Sequence, residues 1–435
     1  MTAGAPAAGG PRAVSLLFTN CAQLVTCAGA PRARRGAEMR EAGLLADGAV
    51  AVAGDTIAEV GPRAALERAH AGVPRIDCGG RLLMPGLVDS HTHAIFGRAR
   101  YEEQELRAAG QDYMEIARRG GGIHASVRDL RARTEDELVA LARPRLRALA
   151  SYGTTTVEVK SGYGLTIDDE LKTLRAIRRL ADELPMRLVP TWLGAHEIPM
   201  EYRDAAGTRA DYLRLLVTEM LPRVAEAGLA RFADVFCEPG VYTVDESRDL
   251  LTAARVAGLG IKLHADELRP SGGAELAASL AAASADHLGA VSGAGIAALA
   301  SSGTVATLLP GTMLFLGKST QAPARALIDA GAAVALATDF NPGTSPTVNF
   351  PLVLTLGVSQ LRMSAAEAVV AATVNGAAAL GLAHRTGQIA PGFSADLALF
   401  DADDVREVPY WYGDRRCRGS WARGKPCHLY ELGLA

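Results

Sequence analysis

The sequence predicts an α/β protein: a TIM (β/α)8 barrel with a small composite β-sandwich domain formed by both chain termini. Three observations predict it. Between about Leu82 and Gly381, short apolar strands alternate eight times with amphipathic helices; outside that stretch, both ends carry short alternating strands; and the polar residues of the middle collect where its strands end. Parallel neighbours need a crossover helix, so eight strand–helix repeats point to a barrel. A doubly wound open sheet is the alternative. It would carry a glycine-rich phosphate loop after its first strand, whereas this first strand ends in Asp-Ser-His-Thr-His.

Taken in order, residues 14–80 supply the first part of the sandwich, in the runs SLLFTN, AQLVTC, AVAVAG and TIAEVG. Val and Ile alternate there with polar residues, as half-buried strands require. Residues 81–381 supply the barrel. Its strand candidates are LMPGLVDSH, GTTTVEVKSG, RLVPTWLGAH, FADVFCE, GIKLHADE, ASADHL, TVATLLPG and AVALATDF. Thr134 with Glu137, Thr243 with Glu246 and Ser364 with Glu367 have the spacing of capping boxes at helix starts. Residues 382–435, including GQIAPGFSADLALFDADD, return to the sandwich texture.

Composition excludes several functions. Of the 435 residues, 49% are hydrophobic and 21% charged, enough apolar material for a large core. The formal net charge is -3 and aromatics are 5%, which argues against a nucleic-acid partner. The longest basic cluster, Arg32, Arg34 and Arg35, lies in a basic stretch from Ala28 to Ala42. Met1 to Gly10 reads as a frayed leader rather than a signal peptide, and no apolar run reaches the about 18 residues of a membrane span. Six dispersed cysteines, with no C-x-x-C, suit a reducing compartment, and the expectation is a cytoplasmic enzyme.

The active site of such a barrel lies at the carboxyl ends of its strands. Strand one ends with His91 and His93, and strand two near Lys160, Ser161 and Tyr163. Strand three ends with His196, strand four with Cys237 and Glu238, and strand five with His264, Asp266 and Glu267. Strand six ends with His287, and strand eight with Asp339, followed by Asn341. His91 and His93, two apart on a strand, point to one face and can grip one ion. With His264 and Asp339 they form an N3O set that suits Zn2+ or Fe, leaving a position open for water. His287 could orient that water or hold a developing oxyanion, and Glu267 could shuttle a proton. Lys160 lies on strand two, not strand four where a carbamylated bridging lysine belongs, so one metal ion is expected rather than two. His70, His124, His384 and His428 are expected to be structural or on the surface.

These residues carry a resemblance. PGLVDSHTH, the histidine after strand five, the aspartate after strand eight and the tail TVNGAAALGL before GQIAPGFSADLALFD resemble the amidohydrolase superfamily. HTHAIFGRAR, EVKSGYGL, TWLGAHEIP, DVFCEPGVYT, KLHADEL, SADHL, LLPGTMLFLG and LATDFNPGTSP are similar to the imidazolonepropionases within it. The resemblance implies hydrolysis of 4-imidazolone-5-propanoate to N-formimidoyl-L-glutamate in histidine degradation, by a metal-activated water attacking the cyclic amide carbonyl. It implies one ion per subunit, Zn2+ or Fe3+, held by His91, His93, His264 and Asp339. Substrate contacts fall on Arg100, Tyr163, His196, Glu267, Asn341, Gly343 and Thr344, and acid–base roles on Glu267, His287 and Asp339. It also implies a homodimer. The substrate carries a propionate, which suits the planar fork of Arg100. The alternative activity is that of another mononuclear amidohydrolase, such as an aminohydrolase of a purine-like or pyrimidine-like ring, which would have no use for Arg100.

Overall fold

The computed structural model describes residues 13–111, 115, 120–203 and 208–430. The Ala/Gly/Pro-rich N-terminus lies outside the described residues. Strand β1 (Leu16–Val25) absorbs both SLLFTN and AQLVTC. Asn20, at the end of the first run, has a positive φ of 59°, and the pairing with β5 (Arg75–Pro85) slips register on either side of Cys21. Two runs therefore read as separate strands are one strand with an irregularity, at a residue type that tolerates the left-handed region.

Around β1 and β5 lie β2 (Leu44–Ala46), β3 (Gly48–Ala53) and β4 (Thr56–Pro62) from the N-terminal half. The last strands among the described residues, which follow the barrel in the chain, are β14 (Leu397–Phe400), β15 (Cys417–Ala422) and β16 (Lys425–Leu429). The sheet order is β16-β15-β14-β5-β1-β3-β4, with β2 beside β1; only β1 and β5 run parallel. The sheet folds over an apolar core of its own: Phe18 of β1 meets Trp421 of β15 edge-on at 4.9 Å, although two strands separate them in the sheet. Both chain ends thus build one unit.

β5 passes through Gly86 directly into β6 (Leu87–Asp89), the first barrel strand. A Cβ on Gly86 would overlap the Thr155 side chain of the next strand, so glycine lets the two units abut. The remaining barrel strands are β7 (Thr154–Lys160), β8 (Arg187–Ala195), β9 (Phe232–Cys237), β10 (Gly260–Ala265), β11 (Ser284–His287), β12 (Val305–Leu308) and β13 (Val334–Leu336). They pair in parallel in sequence order. All three expected capping boxes are present, at Thr134, Thr243 and Ser364.

The seam between β13 and β6 is closed by the residues that follow them. Asp339 N–H donates to the His91 carbonyl at 3.0 Å, and His93 N–H donates to the Phe340 carbonyl at 2.8 Å. One turn lower, the buried Asp89 carboxylate accepts the Thr338 N–H and hydroxyl. The basic stretch Ala28–Ala42 clasps the far end of the barrel. Arg34 N–H donates to Asn375 Oδ1, and Asn375 Nδ2 donates to the carbonyls of Arg34 and Val334. Arg35 donates to the carbonyls of Ala300 and Gly331, at the ends of the helices Gly293–Ser301 and Ala324–Asp329. A cation there satisfies orphan carbonyls and opposes the helix dipole. Among the described residues, no helix is long and apolar enough to cross a membrane.

Candidate metal centre

The seam sets the geometry of the centre. By pairing with Phe340, the His91-Thr92-His93 segment presents both rings to Asp339. Asp339 Oδ1 lies 3.5 Å from His91 Nε2 and 3.6 Å from His93 Nε2. Its other oxygen accepts a 2.6 Å hydrogen bond from Thr312, on the helix after β12, so Oδ1 is the oxygen turned to the histidines. The His264 ring, at the end of β10, is 4.5 Å from that of His91, and His287 is 5.3 Å from His91 and 5.2 Å from His264. Donor atoms of His91, His93 and Asp339 lie within 4.8 Å of one another, and so do those of His91, His264 and His287. His287 therefore stands as near the centre as the four residues expected to bind the ion. His287 and Asp339 both take positive φ, 79° and 52°, where side chains rarely sit; such strain clusters at functional sites.

The residues fit a metal ion. His91 Nε2 and His264 Nε2 are buried and meet no hydrogen-bond partner among the described residues. Burial pushes the pKa values of His91, His93 and His287 well below the ordinary value, so these imidazoles are neutral, as ligation requires. Burial pushes the Asp339 carboxyl up to about 6, and the Thr312 hydrogen bond opposes that rise. A buried nitrogen with a free lone pair beside a carboxylate oxygen is costly unless something cationic joins them.

All the expected site residues except His91 and Gly343 line one cleft of about 620 Å3, open to solvent above these histidines. His91 lies just beneath its floor. His196 stacks on His93 at 5.0 Å, and its Nδ1 donates to the Gly162 carbonyl at 2.9 Å. That bond fixes the ring's tautomer, and burial lowers its pKa to about 3. Tyr163 completes this wall, 5.3 Å from His196. The loop carrying Tyr163 is organised by Glu170, whose buried carboxylate accepts the N–H groups of Gly162, Gly164 and Leu165. Glu267 has its carboxyl pKa raised well above the usual range, by burial first and then by Asp339. Its Oε2 is 3.7 Å from His287 Nε2. Asp266, by contrast, turns away and accepts the Ser271, Gly272 and Ala274 N–H groups.

Arg100 sits on the opposite wall, 8% exposed, with Nη1 donating to Ser126 and Nε 3.3 Å from Glu103. Gly343 lies behind it: a Cβ there would overlap the guanidinium. Asn341 spends its side chain on its own loop, donating to the Asp339 carbonyl and accepting the Gly343 and Thr344 N–H groups.

Sequence reasoning named Lys160 but missed the buried layer to which it belongs. Glu158, Lys160, Asp234, Lys262 and Asp286 are fully buried on β7, β9, β10 and β11. Asp286 Oδ2 meets His91 Nδ1 at 2.7 Å, and Asp234 Oδ2 lies 3.0 Å from His264 Nδ1 in a less well aligned contact. The signal was there: Glu158 precedes Lys160, and Lys262 precedes His264, by the two residues that put side chains on one face of a strand. Thr312 and Lys318, the latter exposed at the cleft's edge, carried no signal of their own.

An amidohydrolase family model matches residues 114–428, and a model of the imidazolonepropionase-like composite domain of bacteria matches residues 48–72. The chain is 47% identical to an imidazolonepropionase of Solibacter usitatus, covering 93% of this chain and 97% of that one. It is 48% identical to the imidazolonepropionase of Symbiobacterium thermophilum, covering 92% and 94%. Among solved structures, an adenosine deaminase from Xanthomonas campestris with bound zinc superposes with a TM-score of 0.72 at 20% identity, over 98% of this chain and 95% of that one. E. coli guanine deaminase does so with 0.72 at 16% identity, over 97% and 100%. At those identities the likeness speaks for the fold. The chain belongs to the amidohydrolase family, and within it to the imidazolonepropionases.

Proposed function

We propose that this protein hydrolyses 4-imidazolone-5-propanoate to N-formimidoyl-L-glutamate. The observation that carries the reading is a single cleft with a histidine–aspartate donor set at its floor and a buried arginine on its wall. The relatives named imidazolonepropionase, at 47–48% identity over nearly the whole chain, support the same activity. His91, His93, His264 and Asp339 are the residues that would hold one Zn2+ or Fe3+. When bound, such an ion supplies Lewis acidity and lowers the pKa of water toward about 7.

The chain's own residues do the rest. Arg100 takes the propionate carboxylate in its fork, and Tyr163 and His196 form the wall against which the ring packs. Asn341, Gly343 and Thr344 shape the loop that approaches the ligand. Water adds to the ring carbonyl carbon, the ring C–N bond breaks, and the nitrogen leaves with a proton. The Asp339 carboxylate accepts the water's proton. Glu267, whose carboxyl burial pushes well above the usual range, delivers a proton to the departing nitrogen, with His287 beside it to steady the developing oxyanion. The protein acts as a cytoplasmic homodimer on a small-molecule substrate, without nucleic acid or membrane.

The test is turnover of freshly generated imidazolone propanoate, followed by its loss and by formimidoyl-glutamate formation. A purine-like or pyrimidine-like ring without a carboxylate serves as the competitor. We expect turnover of the propanoate alone; release of ammonia from the carboxylate-free ring at a greater kcat/KM would assign the site to an aminohydrolase.

A further inference from the structure

The five charged residues under the histidines form one connected cluster. Lys160 Nζ lies 2.7 Å from Asp234, 2.9 Å from Glu158 and 3.7 Å from Asp286. Lys262 Nζ lies 2.8 Å from Glu158 and 3.5 Å from Asp286, and donates to the carbonyl of Ser90, next to His91. None of the five has any exposure. A barrel interior is ordinarily filled by branched apolar side chains, so this layer needs a reason. Structural ion pairing alone does not supply one: buried pairs rarely stabilise a fold more than apolar residues of the same shape.

The formal charges suggest the reason. Three carboxylates face two ammonium groups, leaving one negative charge over. That charge is not isolated from the centre. A nitrogen of His91 and an oxygen from each of Glu158 and Asp286 lie within 4.8 Å of one another, and Asp286 Oδ2 accepts the His91 Nδ1 hydrogen at 2.7 Å. Among the described residues Asp286 Oδ1 meets no hydrogen-bond partner, so this carboxylate is only partly compensated. Added to Asp339, the cluster gives the centre two negative charges, the number a divalent ion neutralises.

We propose that Asp286, with the Glu158–Lys160–Lys262–Asp234 cluster behind it, is a positioning residue of the metal centre. It fixes the His91 ring with Nε2 inward, and the cluster's unbalanced negative charge sets the affinity for a divalent ion. This rests on the reading of His91, His93, His264 and Asp339 as ligands. Acceptors behind ligating histidines change metal affinity about 10–100-fold when removed.

Asp286→Asn is the discriminating variant. It leaves two carboxylates with two ammonium groups, so the interior is balanced and the fold tolerates it, and the amide oxygen can still accept from His91. Glu158→Gln removes the same charge without touching a histidine. The zinc dissociation constant of the stripped protein is measured by chelator competition, and the melting temperature of the metal-free form is measured alongside. We expect both variants to bind zinc at least 10-fold more weakly than the parent, with metal-free melting temperatures no lower. Loss confined to Asp286→Asn would reduce the effect to one hydrogen bond and overturn the charge argument. Zinc affinity within twofold of the parent in both variants would overturn the inference while leaving the ligand set intact. A parent that binds no zinc or other divalent ion would overturn the ligand reading and this inference with it.

Discussion

Arg100 and Gly343 show how a residue's role depends on what stands behind it. The guanidinium reaches the cleft because position 343 has no Cβ, and Ser126 and Glu103 hold it there. Gly343→Ala should therefore copy Arg100→Ala in steady-state kinetics. Both should raise KM with a smaller change in kcat, by up to about 2–5 kcal/mol in transition-state binding for Arg100→Ala. An unchanged KM in Gly343→Ala would detach the glycine from Arg100. At this scale the chemistry-bearing ends of strands were legible, because histidines and acids following apolar runs have few structural uses. Glu158, Asp234 and Asp286 were not, because a charged residue inside a strand shows neither its partner nor its depth until neighbouring strands are aligned. Gly343 was expected as a ligand contact; the structure sets its Cα against the Arg100 guanidinium.

Loops and strands impose the next level of order. The Ser161–Leu165 loop hangs on Glu170, one carboxylate receiving three backbone N–H groups, and its Gly162 carbonyl also holds His196. Glu170→Gln turns an amide toward donors that need acceptors. It should raise KM through Tyr163 and His196 and lower stability by about 1–3 kcal/mol; chemical denaturation and initial rates read the two effects separately. Equal kinetics at reduced stability would restrict Glu170 to folding. His124, on the helix Ile123–Arg131, gives a pH signature away from the centre. Burial first, then the charges of Arg203 and Arg128, lower its pKa to about 4. The folded value lies below the unfolded 6.5, so its contribution to stability is complete above about pH 6.5 and is lost as pH falls towards 4. Thermal melts of His124→Gln should decline less steeply than the parent's over that window; parallel curves would contradict the assignment. Helix starts were legible because capping boxes are local. The single strand β1 was not: an irregularity at Asn20 and a turn look alike in sequence.

The whole molecule resolves what composition left open. Eight strand–helix repeats and two sheet-like ends became a barrel and a folded-over sheet, joined where β5 runs through Gly86 into β6. The basic stretch Ala28–Ala42, opaque in sequence, is a clasp on the barrel's far end, legible only once helix termini are known. The net charge of -3 does not decide the charge of the ligand: under the proposed function, Arg100 would meet a carboxylate locally. The central claim, one metal ion per chain at the seam between the first and last barrel strands, is tested most directly by stripping the protein with chelator and restoring zinc stepwise. Imidazolone-propanoate turnover should be absent in the stripped protein, rise linearly with added zinc and level off at one equivalent per chain. Full turnover without metal, or a rise that continues to two equivalents, would contradict it.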